Sequence, residues 1–173
     1  MTDTNLTAIL RLLQTNALLE ARLAGEFSSV HGLAVKEVFL LMQLEQAPLN
    51  RLPRVELAKR LHVSASTVTR MAAPMEKIGL VARESNERDA RLAFVVLTPT
   101  GKERIAETRA TLSKKADAIF RDRWSEEEVA QLSDLVGRLI AGDPGNLTRN
   151  KRHRLRAQPG AVLAARRYGR VAR

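Results

Sequence analysis

Between residues 64 and 70 the chain reads "SASTVTR", so Ser64, Ser66, Thr67, Thr69 and Arg70 crowd into two helical turns. Short hydroxyls let a helix approach a partner closely and hydrogen-bond to phosphate oxygens or base edges. An arginine fork can clasp phosphate or the O6/N7 edge of guanine. About twenty residues on, "SNERDAR" places Arg88 and Arg91 around Asp89 in a polar stretch between two apolar ones. An arginine on a projecting loop can enter a narrow, strongly negative minor groove. An acid beside it serves to hold an arginine or cap the turn. The alternative for both stretches is a solvated surface of caps and ion pairs.

Such residues need a scaffold. "RVELAKRLHVSASTVTRMAAPMEKIGLVARE" has helical periodicity over 55–61, a turn at 62–64 and a second helix over 65–78. Leu57, Ala58 and Leu61 pack the first helix, and Ala58 is small where the helices approach. His62 turns the chain in a left-handed conformation, which His visits more readily than most residues. Val63 packs beneath the turn and Ser64 caps the second helix. Val68, Met71 and Met75 face inward, with Ile78 closing the end, while Ser66, Thr67 and Arg70 point outward. This is the pattern of a helix-turn-helix. Pro74 sits inside the second helix, where it removes a hydrogen bond and is expected to kink it beyond the reading half.

The remaining elements follow from period and caps. A long helix is expected over 4–24, carrying Leu6, Ile9, Leu10, Leu13 and Ala17 at helical spacing and stopping at Gly25. A second spans 34–46, with Val35, Val38, Phe39, Met42 and Leu44 inward. "APLNRLP" reads as a loop, and Pro53 opens the third helix, which buries Val55 with its other apolar residues. "LVARE" and "LAFVVLT" read as two strands forming one hairpin. Thr98 and Pro99 start a helix with Ile105, Leu112, Ile119 and Phe120 on its apolar face. "SEEE" at 125–128 has the capping-box pattern before a last helix that buries Val129, Leu132, Val136, Leu139 and Ile140 and ends at Gly142. The fold class is therefore mainly α with a small β-hairpin wing.

Charge narrows the partner. The 173 residues carry 29 basic and 19 acidic groups, a net +10. Nine basic residues stand against Asp143 alone over 143–173, and nine against five over 51–91. Basic stretches of this kind suit a polyanion. The stretch 143–173 lacks apolar periodicity and is expected to be a disordered basic tail. Cysteine is absent, which excludes a disulfide framework, thiol-based peroxide sensing and cysteine-ligated metal. The start resembles no signal peptide, and the longest apolar runs are about five residues where a membrane helix needs ~20. A soluble, cytoplasmic chain with no membrane partner is expected. His31, His62 and His153 lack paired metal-ligand spacing, and no GxGxxG, Walker or GxSxG motif occurs. The reading is a non-enzyme without cofactor or metal, and Trp124 is a packing residue.

"ELAKRLHVSASTVTRM", "MEKIGLV" and "DARLAFVVLTPTG" together resemble the MarR family of bacterial winged-helix transcription regulators, over roughly residues 6–141. The resemblance implies a homodimer whose dimerisation region is helical (1–33 and 99–142), around a winged helix-turn-helix domain (34–98); the basic tail at 143–173 lies outside it. It implies a major-groove reader at Ala65–Ile78, a minor-groove contact at Arg91, and Asp89 orienting the wing through an arginine. The expected DNA-contacting set is Ser64, Ser66, Thr67, Thr69, Arg70, Arg88 and Arg91. The expected function is a sequence-specific regulator, a repressor released by a small-molecule effector, on pseudo-palindromic double-stranded DNA. The competing reading is a sequence-neutral, nucleoid-associated DNA-binding protein.

Overall fold

The computed structural model describes residues 3–86 and 89–148; for 85, 86 and 89–92 the description is of the backbone alone. Asp3 accepts from the amides of Asn5 and Leu6 and starts α1 (Thr4–Glu26). Gly25 does not stop it. The chain continues through a π-turn, Phe27–His31, and ends at Gly32, whose φ of 65° lets its amide reach back to the Phe27 and Ser28 carbonyls. The reason is burial: Phe27 and His31 both lie in the core, so the helix runs on until they are seated.

Helix α2 (Val35–Gln46) is the central post. Val38, Leu40, Leu41 and Leu44 are fully enclosed, whereas Phe39, expected inward, faces outward. Next comes a 3-10 turn, Pro48–Asn50, and then, where the sequence predicts loop, a strand: β1 (Arg51–Pro53). It pairs antiparallel with β3 (Asp89–Leu97), which also pairs with β2 (Val81–Asn86), giving the order β1-β3-β2. The expected hairpin is thus a three-stranded sheet. Pro53 ends the edge strand, where no ladder donor is needed, and serves as N-cap to α3 (Arg54–Arg60). Val55, expected buried on α3, is exposed.

Helix α4 (Ala65–Lys77) remains one helix through Pro74. It closes at Gly79, at φ 75°, with the Leu80 amide bonded to the Met75 carbonyl. Ile78 lies outside the core, contrary to expectation, and Leu80 takes the buried place. Thr98 then does three things at once. Its hydroxyl donates to the Gly79 carbonyl at 2.6 Å, lies 3.0 Å from that of Leu80, and accepts from Gly101. That cap starts α5 (Pro99–Phe120). Gly101 is required there, because a Cβ would stand 2.1 Å from the Leu80 carbonyl oxygen.

Ser125 and Glu128 form the expected capping box of α6 (Glu126–Leu139). The neighbouring Glu127 carboxylate is held below its usual pKa by its own backbone amide and by the Ser125 hydroxyl. Within one chain neither α1 nor α6 buries a single side chain fully. Val129, Leu132 and Val136 are only half-buried, and Leu139 and Ile140 are exposed. The core sits instead between α2, α3, α4, α5 and the sheet, around Leu41, Leu57, Val68, Met75, Val95 and Ile105. Order extends past the expected boundary at Gly142: residues 143–148 form turns packed on the domain, and 149–173 lie outside the described residues.

Candidate nucleic-acid interface

Helices α3 and α4 meet through Leu57 and Ala58, both buried, against Val68 and Ala72 on α4. The turn is closed by the Val63 amide bonding to the Ala58 carbonyl at 3.0 Å, with His62 at φ 53°, the left-handed geometry expected of it. Ser64 caps α4 by accepting from the Thr67 amide at 3.1 Å.

That cap heads a small exposed cluster. The Ser64 hydroxyl lies 2.8 Å from the Ser66 hydroxyl and 2.9 Å from that of Thr67, and Arg70 donates to Thr67 at 3.3 Å. Three hydroxyls and a guanidinium therefore share one patch on the first turns of α4, with Ser64, Ser66 and Arg70 exposed and Thr67 half-buried. Unpaired amides and the positive end of the helix dipole add to its attraction for anions. Thr69 stands apart. It is half-buried, donates to the Ala65 carbonyl and accepts from Arg54 at 3.2 Å. Both of its hydrogen-bonding roles are occupied inside the domain. Asp89 and Arg91 fall on the β3 backbone; their side chains, and Arg88 altogether, lie outside the described residues.

Residues that the sequence does not single out tie α3, α4 and the sheet together. Arg54, at the start of α3, reaches α4 through Thr69. Arg83 on β2 pairs with Glu76 on α4 at 2.9 Å, joining sheet to helix. Arg51 bridges to Glu84 at 3.0 Å and lies over the Phe94 ring, 5.1 Å from its centroid. Their only sequence signal is local positive charge, which does not reveal partners on other elements. Replacing Ser64 by Ala removes the cap bond and is expected to lower stability by about 1 kcal/mol. Denaturant melts of the two proteins check this.

The MarR family model matches residues 33–92, which run from α2 to the first residues of β3. The HTH-type transcriptional repressor MdtR of Bacillus subtilis is 31% identical over 108 residues, covering 62% of this chain and 68% of its own length. The chain belongs to the MarR family. Another relative from Bacillus subtilis, the HTH-type transcriptional repressor YetL, is 32% identical over 111 residues, covering 62% of this chain and 66% of its own. The chain spans about two thirds of the length of these curated relatives. Among solved structures, the MarR family regulator Sco3205 of Streptomyces coelicolor, in complex with DNA, superposes with a TM-score of 0.70 at 27% identity, over 82% of this chain and 91% of its own. AbsC, a MarR family regulator from the same organism, gives 0.68 at 26%, over 82% and 95%. The α3–α4 pair and the three-stranded sheet are accordingly the winged helix-turn-helix of a MarR protein.

Proposed function

We propose that this chain is a sequence-specific, DNA-binding transcription regulator that acts as a homodimeric repressor. The observation that carries the reading is the exposed Ser64, Ser66, Thr67 and Arg70 cluster at the start of α4, flanked by a sheet braced to the same helix. A helix presented this way suits the major groove, with its N-terminal side chains on base edges and phosphates. The two repressor relatives and the DNA-bound neighbour support the assignment. Dimerisation is supported by the uncovered apolar faces of α1 and α6, whose Leu6, Ile9, Leu10, Leu13, Leu135 and Leu139 all stand exposed. In this reading α1, α6 and the adjoining part of α5 hold the two copies together, and residues 34–98 read DNA. Thr69 acts as a brace behind the reading face.

Arg91 extends the reading to the minor groove, with Asp89 orienting it. Arg91→Ala is expected to weaken binding most at sites whose flanks are A·T-rich. Titration of wild type and variant against operators differing only in those flanks checks it, and equal losses at all flanks would count against the role. A small-molecule effector completes the proposal. An open groove between α1, α2 and α4, lined by Ala21, Val35 and Met71 among others, is where we place it. Among the described residues no helix is long and apolar enough to cross a membrane, which accords with a cytoplasmic place of action.

The decisive experiment titrates the purified protein against fragments of the DNA upstream of its own coding sequence, over a range of salt. A regulator binds one fragment about 10³–10⁷-fold more tightly than the rest. Equal affinity for every fragment, with only a salt dependence, would instead establish sequence-neutral binding.

A further inference from the structure

Arg54 opens α3 and is half-buried. With Thr69 and Ala72 of α4, Arg83 of β2 and Phe94 of β3 it lines a cleft of about 40 Å³, in the crease where α4 meets the sheet. That space takes about one or two water-sized groups and no larger molecule.

The charge of Arg54 is unanswered there. Three of the described arginines are half-buried: Arg54, Arg60 and Arg104. Arg60 pairs with Glu56 at 2.9 Å and Arg104 with Glu107 at 3.5 Å. Arg54 meets no carboxylate among the described residues. Its Nη1 donates to the Thr69 hydroxyl at 3.2 Å, and its Nε is enclosed without an acceptor. The acids of the neighbouring elements are engaged elsewhere, Glu76 with Arg83 and Glu84 with Arg51. A guanidinium cannot shed its proton to escape burial, so an enclosed N–H without an acceptor is a standing cost that an arriving anion removes. The cleft admits a single oxygen of such an anion, and the planar fork of arginine matches phosphate.

We propose that Arg54 is a phosphate-binding residue, whose guanidinium clasps one phosphate of the DNA strand lying between the major groove read by α4 and the minor groove beside it. This rests on the regulator reading above and adds to it a contact outside the cluster at the start of α4. In that reading α4 lies in the major groove and the loop of the sheet reaches the next minor groove. One phosphodiester strand divides the two grooves, so it crosses the crease between α4 and the sheet, where Arg54 sits. A phosphate contact carries no sequence information of its own. It fixes the depth and register at which α4 presents its reading side chains.

The test compares the full chain with its Arg54→Gln variant on the preferred upstream fragment, with a melting curve for each protein. The fragment is prepared as a set of duplexes in which one phosphate at a time is replaced by an uncharged methylphosphonate. The wild-type chain is expected to lose about tenfold in affinity or more at a phosphate between the two grooves, the worth of one charged hydrogen bond. Arg54→Gln is expected to lose as much on the unmodified duplex, to be indifferent to the methylphosphonate at that position, and to stay sensitive at the others. Its log K against log salt slope becomes shallower by about 0.9 for each phosphate released. If Arg54→Gln fails to fold, Arg54→Met keeps an unbranched apolar stem in the cleft and is expected to give the same pattern. An arginine that only braced Thr69 would, when replaced, lower the melting temperature and leave the slope and the methylphosphonate pattern as in wild type. That result would overturn the proposal, as would a wild-type chain insensitive to every phosphate between the grooves. No preferred fragment for the wild type would bring down the regulator reading instead, and the salt slopes of the two proteins on any duplex would still decide for or against Arg54.

Discussion

Leu13→Glu is expected to turn the proposed dimer into a monomer and to abolish most of its operator preference. Leu6, Ile9, Leu10 and Leu13 fall on one face of α1, and each is about half exposed or more in a single chain. A contiguous apolar face of this kind marks an association surface. Burying a leucine side chain is worth about 1.5–3 kcal/mol, and in a two-fold interface every substituted position occurs twice. Two carboxylates set into that surface therefore remove the apolar gain and add a desolvation cost. Light scattering at micromolar concentration should report the monomer mass. Operator binding should fall towards the sequence-neutral level, losing most of a margin of about 4–10 kcal/mol, since a monomer reads one half-site. The core lies between α2, α3, α4, α5 and the sheet, so circular dichroism should still show a folded helical chain. A variant that stays dimeric would place the interface elsewhere.

Arg70→Ala is expected to weaken operator binding by about 1–3 kcal/mol while leaving the melting temperature within about 1 °C of wild type. Arg70 is exposed, and it bonds to the hydroxyl of the half-buried Thr67. Nothing in the core depends on it, so a binding loss cannot be mistaken for unfolding. The manner of the loss is informative. If Arg70 clasps a guanine edge, discrimination at one base pair relaxes and the salt slope holds. If it clasps phosphate, affinity drops on all sequences and the slope falls by about 0.9. Thr69→Val offers the contrast. Its hydroxyl is spent on Ala65 and Arg54, so its effect should appear in stability and only through that in binding.

What can be read in the sequence is whatever local chemistry dictates. The caps at Ser64, Thr98 and Ser125 announce themselves by residue type and spacing, and each makes the bond expected of it. The left-handed His62 follows from the short distance between two helical periods. The departures share a different cause. Strand β1 is three residues long and exists because β3, some forty residues later, offers it a ladder. Gly25 would end an isolated helix, but the burial of Phe27 and His31 just beyond it outweighs that tendency. Phe39, Val55 and Ile78 belong inside on hydrophobicity alone, whereas the core places go to neighbours such as Val38, Leu57 and Leu80. Residues 143–148 have no period at all. Their order comes from Gln43, Gln46 and His62, far upstream on other elements.

The triple engagement of Thr98 has a mechanical corollary. One hydroxyl grips the carbonyl just past the reading helix and also nucleates α5, so the two cannot pivot about the junction independently. The winged domain and the near end of α5 must swing as one lever. α5 has 22 residues, so the arm is about 33 Å long. A tilt of about 5° at its far end, close to α6, sweeps the reading helix through about 3 Å, a quarter of a major groove about 12 Å wide. In the proposed dimer, register on DNA is thus geared to small repacking at the remote end of a stiff rod.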